Sequence, residues 1–67
     1  MPHVPHRASL REWERRTGVS ARYLAREFAA GRLPAELIGR AIVADAGDVR
    51  RLVRELLERA LADEVRP

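Results

Sequence analysis

At 67 residues the chain has room for one domain, near the lower end of what folds alone. It has no cysteine, which excludes a disulfide staple and a thiolate metal site, and no apolar run near the roughly 18 residues of a membrane span. The net charge is +3 and every basic residue is an arginine, eight against four acids over residues 1–40 and five against six over 41–67. A basic first part beside a near-neutral end is the asymmetry of a domain that offers one face to phosphate. With Met1 at the start and no signal-peptide apolar region, the chain reads as complete, soluble and cytoplasmic.

Residues 1–8 carry two prolines and two histidines without periodicity, which predicts a flexible arm. His3 and His6 stand three apart, too few ligands for a metal site. Residues 9–67 form the expected folded domain. Ser9-Leu10-Arg11-Glu12 is a capping box: the Ser9 hydroxyl takes the amide three residues on and Glu12 reaches back. A first helix then runs from Leu10 to about Thr17, with Leu10, Trp13 and Thr17 as its buried stripe and Arg11, Arg15 and Arg16 off it. Trp13 is the largest apolar side chain available to so small a core.

Gly18 supplies the left-handed residue that closes this helix, and Ser20 caps a second one from Ala21 to about Ala30. Leu24 and Phe28 share one of its faces, while Arg22, Tyr23 and Arg26 look elsewhere. Gly31 ends it and Leu33-Pro34 breaks continuity. Residues 37–43, with Gly39-Arg40 central, read as a hairpin whose two-residue turn has glycine in the position that needs positive φ. Arg40 then stands at the tip.

Asp45 and Asp48 open a long last helix with apolar positions at Val49, Leu52, Val53, Leu56, Leu57, Ala60 and Leu61. Its first half covers the core. From Leu56 to Val65 it outruns the body, so that Leu56, Leu57, Ala60, Leu61 and Val65 form a candidate protein-contact stripe. Arg51–Glu55 and Arg54–Glu58 support its exposed side. The fold class is therefore mainly α with a small β-hairpin: a winged helix-turn-helix followed by a long C-terminal helix. With Ser9, Ser20, Asp45 and Asp48 assigned to caps, no nucleophile–base pair remains, and an enzyme is not expected.

Five fragments in register, Ser9-Leu10-Arg11-Glu12, Thr17-Gly18-Val19-Ser20, Gly31-Arg32-Leu33-Pro34, Ile38-Gly39-Arg40 and Asp48-Val49, resemble the excisionase-like branch of the MerR-like winged helix-turn-helix superfamily over about residues 9–56. The resemblance implies a recombination directionality factor, a small accessory protein of phages and integrative elements. Such a protein binds and bends attachment-site DNA, steers an integrase toward excision, and needs no cofactor. By position it makes Ala21, Arg22, Tyr23 and Arg26 the recognition-helix contacts and Arg40 the wing-tip contact, and Ser20, at the entrance to that helix, is counted with them as a DNA-binding residue. The paired Arg15-Arg16 and the length of the last helix depart from that pattern.

The residue chemistry agrees. Arg22 and Arg26, one turn apart, suit the major groove, where arginine binds guanine through two hydrogen bonds. Arg40 on a thin hairpin suits the minor groove. Arg15, Arg16 and Arg32 are placed to hold phosphates. A small transcriptional regulator on the same fold and a helical protein-interaction module are the other two readings. The partners expected are double-stranded DNA, an integrase and further copies assembling on DNA, with no membrane.

Overall fold

The computed structural model describes residues 5–65. Its elements in chain order are β1 (Arg7–Ser9), α1 (Leu10–Thr17), α2 (Ala21–Ala29), β2 (Glu36–Ile38), β3 (Ala41–Asp45) and α3 (Ala46–Val65). The domain is mainly helical, with a small antiparallel sheet in the order β1-β3-β2.

Local chemistry accounts for the first two helices. The Ser9 Oγ accepts from the Glu12 amide at 3.3 Å, and the Ser20 Oγ accepts from the Tyr23 amide at 3.1 Å. The box at Ser9 is only half made. Glu12 turns outward instead, 2.9 Å from Arg16 and 3.5 Å from Arg15. Gly18 closes α1 at φ 80°, and its amide donates to the Glu14 carbonyl at 2.9 Å. Losing either serine hydroxyl strands one helix-end amide. Ser20→Ala is therefore expected to cost about 1 kcal/mol in urea unfolding, and Ser20→Gly a few tenths.

The core is Leu10, Trp13, Leu24, Leu33, Ala44, Val49 and Leu52. Trp13 sits at its centre, 3% exposed, and its indole N–H donates to the Ala44 carbonyl of β3 at 2.9 Å. One side chain thus ties α1 to the sheet and satisfies a buried carbonyl. Thr17, expected on the buried stripe, is exposed. Its hydroxyl donates to the Trp13 carbonyl at 2.7 Å and accepts from the Val19 amide at 3.1 Å, so it stiffens the α1–α2 turn.

The hairpin forms where expected: Ile38 pairs with Ala41, and Gly39 stands at φ 62°, as the first position of such a turn requires. The arm does not extend to residue 8. Arg7, Ala8 and Ser9 pair with Asp45, Ala44 and Val43, and the Ala46 amide donates to the His6 carbonyl at 2.8 Å. This strand forms because β3 would otherwise offer an unpaired edge beside a buried alanine, not because its three residues favour extended structure. His3 lies outside the described residues.

Asp45 ends β3, one residue before α3 begins. Its Oδ1 lies 3.0 Å from Arg7 Nε without hydrogen-bond geometry, so it is ion-paired by distance alone. Arg7 Nη2 reaches on to Glu36 Oε1 at 2.6 Å, and the strap across three strands holds the Arg7 pKa above its ordinary value. Along α3, Val49 and Leu52 are buried and Val53 and Leu56 half-buried, so the first half covers the core as expected. The expected i,i+4 pairs do not form: Arg51 turns back to Asp48 at 3.0 Å, and Arg54 has no carboxylate within 4 Å among the described residues.

Candidate nucleic-acid interface

Two elements frame the basic side of the domain. On α2, Ala21 and Ala25 stand one turn apart and half-buried, and Arg22 and Arg26 one turn apart and exposed. Across from them the β2–β3 turn carries Arg40, exposed at its tip. Between lies a groove of about 510 Å³ whose walls include Arg11, Ala21, Ala25, Arg40 and Ile42. The two alanines leave the α2 backbone open to approach from this groove, and Arg11 and Arg40 are the arginines that line it. Ser20 has its hydroxyl engaged as a cap, so its place at the entrance to α2 is structural. Tyr23 is half-buried on the same helix.

The arginines divide by what they already hold. Among the described residues, Arg11, Arg22, Arg26 and Arg40 have no carboxylate within 4 Å. Arg15 and Arg16 share Glu12. Arg32 forms a two-pronged pair with Glu27, Nε to Oε1 at 2.9 Å and Nη2 to Oε2 at 2.8 Å. That fork locks the end of α2, where the Glu27 carbonyl also accepts from the Arg32 and Leu33 amides. The geometry therefore moves Arg32 from phosphate holding to a structural task and leaves Arg15 and Arg16 half neutralised. Arg11 joins the basic groove instead. Like Arg15 and Arg16 it lies off the apolar stripe of α1, and its place across the groove from the hairpin is a property of the folded chain.

Glu27 is nearly buried, and the Arg32 fork holds its carboxyl below the ordinary carboxylate range against the desolvation that would raise it. The same fork holds the Arg32 guanidinium above its usual value. Because the folded-state pKa of Glu27 is depressed, its stabilisation is full above the unfolded value of about 4.3. It is lost as pH falls through the folded value. The stability gap between the wild type and Glu27→Gln in thermal melts is thus expected to be widest near neutrality and to close in acid.

No family model, characterised protein or solved structure matches this chain.

The second candidate surface lies on α3. Leu56 is half-buried, Leu57 and Leu61 are 57% and 56% exposed, and Ala60 is exposed beside them. The Val65 side chain lies outside the description. No helix here is long and apolar enough to cross a membrane, among the described residues.

Proposed function

We propose that this chain is a sequence-specific, non-enzymatic double-stranded-DNA-binding protein of winged helix-turn-helix design, acting as an excisionase-type accessory factor that bends DNA and steers an integrase toward excision, in the cytoplasm. In this reading α1, the Gly18 turn and α2 are the helix-turn-helix, and the β2–β3 hairpin is the wing. The observation that carries it is a groove walled by Ala21 and Ala25 of α2 and by Arg40 of the hairpin, with Arg22 and Arg26 exposed on the same helix and without a carboxylate partner among the described residues. A helix with small residues between two arginines fits the major groove, where each two-bonded arginine–guanine contact discriminates by about 1–3 kcal/mol. Arg40, carried about one hairpin's width away, meets the minor groove and reads its width. Arg11, Arg15 and Arg16 add phosphate contacts that position without specifying.

A second reading, a small regulator on the same fold, draws support from the exposed leucines of α3, because a paired protein matches an inverted repeat. A purely helical interaction module is the third, and it makes the α2 arginines dispensable. Selection of bound duplexes from a random pool separates the three. Direct repeats with bent mobility support the excisionase type, an inverted repeat supports the regulator, and no enrichment at low salt removes both. Arg40→Ala is expected to weaken binding similarly across the selected sequences and to lower the salt slope by about one phosphate's worth, read by fluorescence anisotropy.

A further inference from the structure

A cleft of about 470 Å³ runs between α1 and α3 at the C-terminal end of α1, away from the basic groove at its N-terminal end, lined by Trp13, Thr17, Val49 and Val53 with Arg16 and Arg50 at its rim. Helical steps of three and four carry the same side of α3 onward from Arg50 and Val53 through Leu57 and Leu61 to Glu64. The apolar cleft and the exposed leucines are therefore one continuous strip, about 21 Å long at 1.5 Å per residue. Its charge is divided. Residues 46–55 hold three arginines against two acids, and residues 56–65 one arginine against three acids. One end of the strip offers a basic-rimmed apolar hollow; the other offers exposed leucines followed by Asp63 and Glu64.

We infer that the strip binds a second copy of this chain, the two α3 helices lying antiparallel across a twofold axis at Leu57. That arrangement sets Val53 of each copy against Leu61 of the other and Arg50 against Glu64, and lowers the leucine end of each helix into the partner's α1–α3 cleft. A parallel pairing sets like charge against like. In the antiparallel one the basic half meets the acidic half twice, which is the self-complementarity a twofold interface needs. The strip is narrow, so the pair is a weak one. It stands independently of DNA binding, since Arg40 lines the other groove and no residue of α2 or of the hairpin lines this cleft. A pair held this way carries two copies of that groove in twofold relation and matches an inverted repeat; action on direct repeats requires it to separate on DNA.

The test is mass by sedimentation equilibrium on the full chain from about 1 μM to 1 mM. The wild type is expected to move from the 7.6 kDa of one chain to twice that value. Leu57→Glu is expected to stay at one chain throughout while keeping the wild-type helical circular dichroism, because Leu57 is largely exposed in the single chain. Arg50→Glu and Glu64→Arg are each expected to weaken pairing about tenfold or more, and the double exchange Arg50→Glu/Glu64→Arg to restore it. A wild type of single-chain mass at every concentration overturns the inference. So does a dimer that Leu57→Glu leaves intact, or a double exchange no better than either single one.

Discussion

Trp13→Ala is expected to unfold the domain at room temperature. Trp13 is 3% exposed at the junction of α1 and β3, and its loss removes the largest apolar contribution to a core of seven buried side chains. Such truncations cost about 3–5 kcal/mol. The stability available to a domain this size is itself only a few kcal/mol, so the two are equal within their spread. The Ala44 carbonyl also loses its partner in a place water does not reach. Trp13→Phe is the milder change: it keeps a six-membered aromatic ring but loses the indole N–H and the rest of the five-membered ring, so it is expected to fold with about 1–3 kcal/mol less stability in urea. Equal stabilities for wild type and Trp13→Phe contradict the role given to that hydrogen bond.

The second large effect belongs to the basic face. Arg22→Ala/Arg26→Ala is expected to weaken binding to a selected duplex by about 2–6 kcal/mol, roughly 30-fold or more, with unchanged thermal stability. Both side chains are exposed and neither has a carboxylate partner among the described residues, so their removal leaves no buried group stranded. Arg32→Ala serves as the contrast. Because Arg32 is forked to Glu27, its loss is expected to lower stability and the acid sensitivity that comes with the pair, with a smaller effect on DNA. If the double variant binds as the wild type does while Leu57→Glu abolishes activity, the protein-interaction reading gains and the DNA reading falls.

Much of this architecture is written locally. Ser9 and Ser20 as caps, Gly18 as the end of α1 and Gly39 in the hairpin turn each follow from the chemistry of one or two residues, and periodicity finds Leu24, Val49 and Leu52. What is set by distant partners was not legible. β1 exists because β3 offers an edge, and Ala44 is buried because Trp13, thirty-one residues earlier, lies on it. Leu33, read as part of a break beside Pro34, plugs the core at 2% exposed. The division of the arginines was hidden for the same reason. Glu27 and Arg32 are five apart, outside the i,i+4 rule, and meet only because the chain reverses after α2. Glu12 chooses Arg16 and Arg15 over its own helix cap, an outcome of small competing energies that spacing does not decide.

The central claim is that α2 and the hairpin hold duplex DNA, and the direct measurement is an anisotropy titration of duplexes selected from a random pool, repeated between about 50 and 200 mM salt. The account predicts enrichment of a short common site and an affinity that falls steeply with salt, with a slope reduced in Arg40→Ala and the site preference lost in Arg22→Ala/Arg26→Ala. A pool that yields no common site at the lowest salt, or an affinity indifferent to both variants, contradicts it.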